Sequence, residues 1–195
     1  MNERSSRARP RKKRGDRETA RAEPRSDEPI AGEPAAVGPL HDVDVVFATS
    51  GSELEAARML IGEYFTSLPP DEPRGGADEE VRSLPGKYVA PGGALLIART
   101  AREAVGCVAL RPAPGGGGEI KRMYVRPEHR GRGIGKVLLE TILEVARARG
   151  YAFVVLDTRP DMTAAQRLYA SLGFEETMPY YESPVAGTQY FRLQL

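Results

Sequence analysis

The stretch from Glu119 to Asp157 constrains the fold more tightly than any other part of this chain. Glu119 to Arg126 is rich in β-branched, aromatic and long polar residues and reads as a strand. Pro127-Glu128-His129-Arg130-Gly131-Arg132-Gly133-Ile134-Gly135-Lys136 follows, a glycine loop that runs directly into a helix. Ile134, Leu138, Ile142 and Val145 step by 4, 4 and 3 residues and draw a core-facing stripe, with Lys136, Glu140 and Arg147 outside it. Gly150 supplies the helix stop. Tyr151 to Asp157 is then a mostly apolar strand of the kind buried on both faces of a sheet.

The flanking sequence keeps the same alternation. Val43 to Ala48 reads as a strand, and Ser50 with Glu53 gives a capping-box pattern ahead of a helix over 52–67. Pro69-Pro70 ends that helix, and 71–92 is a loop with a short helix around Asp78 to Leu84. Ala94–Arg99 and Ala104–Leu110 form a hairpin, and four consecutive glycines within Pro112–Gly118 make a flexible connection. Beyond Asp157, a helix starting at Pro160-Asp161 carries Met162, Ala165, Leu168, Tyr169 and Leu172 on one face. Phe174–Thr177 and Gln189–Leu195 are closing strands. Strands alternating with helices over this length predict an α/β sandwich around a mixed sheet.

That order does not extend to the start of the chain. Residues 1–40 hold ten Lys/Arg against seven Asp/Glu, no aromatics, and only Ile30, Val37 and Leu40 as large aliphatic residues. So little apolar surface cannot offset the entropy of ordering, and this stretch reads as a disordered basic tail ahead of one folded domain at 41–195. Arg9-Pro10-Arg11-Lys12-Lys13-Arg14 could touch nucleic acid or an anionic surface, but so short a block reads first as a solvated arm. No apolar run approaches the ~20 residues that span a bilayer, and no apolar segment follows the basic start as a secretion signal requires. Cys107 is the only cysteine and His41 and His129 the only histidines, which excludes an internal disulfide framework and leaves no convincing metal site. A reducing, cytoplasmic setting is the expectation.

Gly131, Gly133 and Gly135 sit where a strand gives way to the first turn of a helix. Without Cβ atoms the backbone can turn N–H groups toward an anion, the helix start adds partial positive charge, and Arg130 and Arg132 add two full ones. The loop is a phosphate cradle. It is not a Walker A loop, because Val137 follows Lys136 where Ser or Thr would bind Mg²⁺, and it is not G-x-G-x-x-G, because Lys136 stands where the third glycine belongs.

Arg130-Gly131-Arg132-Gly133-Ile134-Gly135 resembles the pyrophosphate loop of the GNAT superfamily, the acetyl-CoA-dependent N-acetyltransferases. Gly106 to Leu110, Tyr124 to Pro127 and Ala165 to Phe174 match further family segments in the same order, so the resemblance covers roughly residues 43–195. It implies a mixed sheet flanked by helices on both faces and splayed at its centre between the 119–126 and 151–157 strands. The pantetheine arm of acetyl-CoA would lie in that gap, bonded to the backbone around Met123 and Val125, with the pyrophosphate on the amides of residues 131–136 (Gly131, Arg132, Gly133, Ile134, Gly135 and Lys136) beside Arg130. Transfer to a primary amine by direct attack in a ternary complex is the implied activity, with no metal and no covalent enzyme intermediate. Family members often form homodimers.

Two proton transfers follow from that chemistry. An amine of pKa near 10.4 is neutral in only about one molecule in 2,500 at pH 7, so its proton must be removed, and a carboxylate can accept it directly or through water. Glu119 matches the family's general-base glutamate, and reads equally as a surface carboxylate beside Lys121 and Arg122. Tyr169 matches the tyrosine that returns a proton to the departing thiolate, and also fits as a core aromatic on its helix stripe. The chain departs from the family at Met162, where Asn usually bonds the cofactor; Thr158 and Thr163 are the substitutes at hand. Tyr64, Tyr88, Tyr180 and Tyr181 are candidates to wall the acceptor pocket, with loop packing as their other reading. Cys107 reads as a buried strand residue, and His129 as flanking phosphate or solvent. Two other functions fit the same residues: an acyl-CoA-binding regulatory domain without turnover, and a nucleic-acid adaptor acting through the tail.

Overall fold

The computed structural model describes residues 43–70, 72 and 76–195. The expected tail over 1–40 lies outside them. Seven strands form one sheet in the order β1-β2-β3-β4-β5-β7-β6, from β1 (Asp44–Phe47), β2 (Ala94–Arg99), β3 (Ala104–Pro112), β4 (Gly118–Val125), β5 (Phe153–Thr158), β6 (Glu175–Glu176) and β7 (Gln189–Gln194). Every neighbouring pair is antiparallel except β4 with β5. The helices are α1 (Gly51–Ser67), α2 (Ala77–Ser83), α3 (Ile134–Ala148) and α4 (Thr163–Ser171). None of the described helices is long and apolar enough to cross a membrane.

The strand periodicity of two sorts the core into two layers. Ala94, Leu96 and Ala98 of β2 join Val154 and Leu156 of β5 under α3 and α4, around Leu138, Ile142 and Tyr169. Leu95 and Ile97 point the other way and pack with Cys107 and Ala109 under Leu60 and Ile61 of α1. Helices thus cover both faces, as the alternating sequence predicts. Burial on α3 falls on Ile134, Leu138, Leu139, Ile142, Leu143 and Ala146, a wider stripe than the one drawn from spacing alone.

Two local features differ from expectation. Ser50 does cap α1, but its side chain makes no capping bond: Glu53 turns outward to Ser52 and Arg99 instead. The α4 helix begins at Thr163 rather than at Pro160, because Arg159 and Asp161 close a polar turn ahead of it.

The centre of the sheet opens for a reason visible in its register. β4 and β5 pair only at Gly118–Val154 and Glu119–Val155, after which the two parallel strands part. On the opposite edge of β4, Cys107 faces Tyr124 while Ala109 faces Lys121, so three steps along β4 oppose two along β3. The extra residue is a bulge at Arg122–Met123, and bulges bend and twist the strand that carries them. Arg122 takes the left-handed backbone there, at φ 53°.

Candidate functional site

The parted strands enclose a cavity of about 200 Å³, lined by Ile120 to Met123 of β4, by Leu156 to Thr158 of β5, and by α1, α4 and the 181–188 loop. Strand parity divides its walls. Ile120, Leu156 and Thr158 alternate toward the α3–α4 face, where Met123 and Tyr169 lie. Lys121 and Asp157 point to the α1 face, alongside Tyr64, Phe65 and Tyr181.

The open end of the gap faces the start of α3. Gly131 (φ 74°) and Gly133 (φ 79°) adopt the left-handed backbone, which costs a residue with a Cβ roughly 1–2 kcal/mol. Gly133 caps α3 with no side-chain bond, and the first intrahelical bond runs from the Val137 N–H to the Gly133 carbonyl. The amides of Ile134, Gly135 and Lys136 precede that first bond and have no intrahelical acceptor. A Cβ on Gly135 would come within 3.3 Å of Met123 Cε and 3.5 Å of Leu168, so this glycine seats the helix start directly over β4. The donor set fits a diphosphate.

Backbone groups on β4 face the gap as well. The Arg126 N–H donates to the Val105 carbonyl, which makes Gly106–Val125 a non-hydrogen-bonded pair and turns the Val125 N–H and C=O away from β3. The Val125 carbonyl already accepts from Arg130 Nε at 2.9 Å, so of the two only its N–H is open to a ligand. That bond and stacking on Tyr124 (5.8 Å) hold the Arg130 guanidinium at the loop, while Arg132 is exposed.

On the α1 face a charged network surrounds the vertex. Glu119 is 2% exposed, which removes the reading of a surface carboxylate. Its Oε2 accepts from Arg111 Nε at 2.5 Å, and its Oε1 lies 3.4 Å from Lys121 Nζ. Lys121 donates to Asp157 Oδ1 at 2.6 Å. The Tyr180 hydroxyl bridges the two carboxylates, 3.2 Å from Glu119 Oε1 and 3.4 Å from Asp157 Oδ1. Burial raises the Tyr180 phenol well above its ordinary value, and the Asp157 and Glu119 charges add to the effect, so it stays a neutral donor.

On the α3–α4 face, Tyr169 is buried at the cavity wall with its hydroxyl 3.9 Å from Met123 Sδ, a weak acceptor. Burial raises this phenol too, so it is protonated throughout the physiological range. Thr158 is 5% exposed, and its Oγ1 has no hydrogen-bond partner among the described residues. Thr163 is exposed at the first turn of α4.

The candidates drawn from sequence therefore separate. Tyr64, Tyr181 and Tyr169 line the cavity. Tyr180 stands behind it in the carboxylate network, and Glu119 reaches it only through that network. Tyr88 does not line it: its ring is buried in the α1-side core and its hydroxyl donates to Glu80 at 2.8 Å. Cys107 is buried, its thiol pushed up to about 12 by burial, and its S–H donates to the Arg122 carbonyl. His129 pairs with Glu103 at 3.3 Å, away from the cavity. Asp157 and Lys121 were missed as site residues, although a polar pair, Asp157-Thr158, ending an apolar parallel strand was a signal, since α/β sheets bind ligands beyond the carboxyl ends of their strands. Among the described residues no group of three or more His, Cys, Asp or Glu side chains is placed to hold a metal ion.

Known proteins share both the sequence and the geometry. The sequence model of the Acetyltransferase (GNAT) family matches residues 58–174. An uncharacterised N-acetyltransferase of Schizosaccharomyces pombe is 39% identical over 145 residues, which cover 73% of this chain and 89% of that protein. N-acetyltransferase 8F1 of Rattus norvegicus is 37% identical over 95 residues, 46% of this chain and less than half (43%) of that protein. Among solved structures, an acetyltransferase of Streptococcus agalactiae superposes with a TM-score of 0.68 at 19% identity, over 80% of this chain and all of that one. The Salmonella typhimurium protein yncA, solved with its cofactor acetyl-CoA, gives 0.63 at 20% identity over 78% of this chain and 94% of that one. The family match runs from within α1 to just past α4 and takes in both walls of the splay, and on it this chain belongs to the acetyltransferase (GNAT) family of acetyl-CoA-dependent acyltransferases.

Proposed function

We propose that this chain transfers an acetyl group from acetyl-CoA to a primary amine by direct attack within a ternary complex. One observation carries the reading: the cavity between the parted strands presents a carboxylate from its α1 wall and a protonated phenol from its α3–α4 wall. Acetyl-CoA, when bound, supplies an activated thioester. Its diphosphate fits the amides of residues 131–136 beside Arg130, and its arm fits the Val125 N–H and the bulge at Met123.

Two carboxylates line the cavity, Glu72 and Asp157; Glu72 is paired with Arg159, so Asp157, on the parted strand, receives the proton of the attacking amine. The proton can pass on: protonated Asp157 donates to the Tyr180 oxygen, and the Tyr180 hydroxyl donates to Glu119. Glu119 then acts as the far end of a relay, with Arg111 and Lys121 holding its carboxylate in place. As the N–C bond forms and the C–S bond breaks, Tyr169 on the opposite wall supplies the proton that the thiolate needs. Cys107 takes no part, because it lies outside the cavity lining and its thiol is held protonated. The one cysteine, free and buried, fits a reducing cytoplasmic setting. The aromatic wall of Tyr64, Phe65 and Tyr181 fits the apolar part of the amine.

The decisive experiment measures free thiol released from acetyl-CoA across a panel of primary amines. Release with at least one amine supports the reading. Coenzyme A binding without release from any amine would show the regulatory domain instead. Tyr169→Phe removes only the proton donor, and kcat should fall about 10²-fold or more with the KM for acetyl-CoA little changed; an unchanged kcat would make Tyr169 a packing residue.

A further inference from the structure

Among the described residues Lys121 is the one amine that lines the cavity. Strand parity turns it to the α1 face, whose aromatic wall of Tyr64, Phe65 and Tyr181 fits the apolar part of an acceptor. Its side chain is 14% exposed, its Nζ donates to Asp157 Oδ1 at 2.6 Å, and it lies 5.7 Å from the centre of the Tyr181 ring. An attacking amine must hand a proton to Asp157 beside that wall, and Lys121 already stands where both conditions are met. It differs from an acceptor in being tethered, and a tethered nucleophile acts at a far higher effective concentration than a free one.

We infer that Lys121 is a self-acetylation site, modified by acetyl-CoA bound to the same chain when no acceptor occupies the cavity. The inference rests on the acetyl-CoA reading of the cavity. The ammonium gives one proton to Asp157, the neutral Nζ attacks the thioester carbon, and the N–C bond forms as the C–S bond breaks. Tyr169 protonates the departing thiolate, and the second proton lost from the nitrogen restores the phenol, so one proton is released overall. Coenzyme A leaves and an amide stays on the chain. An amide does not pass its acetyl group on, so this is a dead end and not an intermediate of turnover. Parting from Asp157 and Glu119 costs Lys121 two charge-assisted contacts, so the transfer is slow beside turnover with an accepted amine. The neutral product no longer offsets the Asp157 charge, leaves Glu119 to Arg111, and fills part of a cavity of about 200 Å³. Acetylation of Lys121 therefore switches the chain off where acetyl-CoA is present and the acceptor is not.

The test is incubation of the full chain with acetyl-CoA alone, followed by mass spectrometry of the intact protein and its peptides. The lysines are Lys12, Lys13, Lys87, Lys121 and Lys136. Uncatalysed acetylation follows exposure and favours Lys136 and Lys87, whose side chains are 57% and 44% exposed, over Lys121. Self-acetylation predicts the reverse order, with Lys121 labelled at least about tenfold faster than either. Its rate constant should not depend on chain concentration, an accepted amine should slow it, and turnover should fall in step with the labelled fraction. Label that follows exposure, a rate constant that rises with chain concentration, no protection by an accepted amine, or full turnover in labelled protein would each overturn the inference. An unlabelled Lys121 in a chain that releases thiol with an added amine overturns it alone. An unlabelled Lys121 in a chain that releases thiol with none of the amines overturns the reading of the cavity with it.

Discussion

Asp157→Asn should lower kcat by about 10²–10⁴-fold, the usual contribution of a positioned general base, and leave coenzyme A affinity unchanged. The substitution keeps the size of the side chain and its carbonyl, and Lys121 retains Glu119 as a counter-charge at 3.4 Å. Its effect therefore reports proton removal more than packing. Glu119→Gln should cost less, because Glu119 does not line the cavity and receives the proton only through Tyr180. Steady-state kinetics with any accepted amine, read beside circular dichroism to confirm folding, separates the two. Should Glu119→Gln prove the more damaging, the proton goes to Glu119 and the relay runs the other way.

Arg122→Ala should destabilise the fold by about 3 kcal/mol in guanidinium unfolding and weaken coenzyme A binding at the same time. Arg122 occupies the strained position in the β4 bulge, with φ at 53°, and its guanidinium is fixed by Glu80 of α2 through bonds of 2.5 and 2.9 Å. It also stacks on Phe65 at 4.6 Å, and its carbonyl accepts the Cys107 S–H. Burial alone would raise the Glu80 carboxyl, but the bonds and charge of Arg122, with Lys87 and Tyr88, outweigh it and hold Glu80 at about 2 against an ordinary 4.5. A carboxylate with a lowered folded value contributes its full stability above the unfolded value and loses it as pH falls from about 4.5 toward about 2. The difference corresponds to about 3 kcal/mol at neutral pH, so Glu80→Gln should flatten the acid limb of the stability profile across that window. If Arg122→Ala unfolds at the wild-type denaturant midpoint, the α2 contact does not hold the bulge. If it loses stability but binds coenzyme A normally, the bulge does not depend on the contact.

The resemblance to the family, the glycine cradle and the alternation of strands and helices were legible because each is a local pattern. Ile134, Leu138 and Ile142 mark one helix face whatever surrounds them, and Gly131, Gly133 and Gly135 mark a backbone turn by lacking side chains. Glu119 could be read two ways because Tyr180 comes from 61 residues away, and Arg111, though only eight residues back, reaches it through the pairing of β3 with β4. Tyr88 looked like a pocket residue because the fold of the chain between α2 and Tyr88, which brings Glu80 to its hydroxyl, leaves no periodic signal in the sequence.

By itself, the sequence determined which segments form the sheet and which loop can hold a diphosphate, since periodicity and missing Cβ atoms act over a few residues. Only the tertiary structure decided that Asp157 faces the α1 side and Thr158 the α4 side. It also decided that Glu119 is buried behind Tyr180 and that an arginine from a bulge is tied to a glutamate on α2. Those facts depend on strand register and on where β4 and β5 part, and one residue of slip would turn every one of those side chains to the other face.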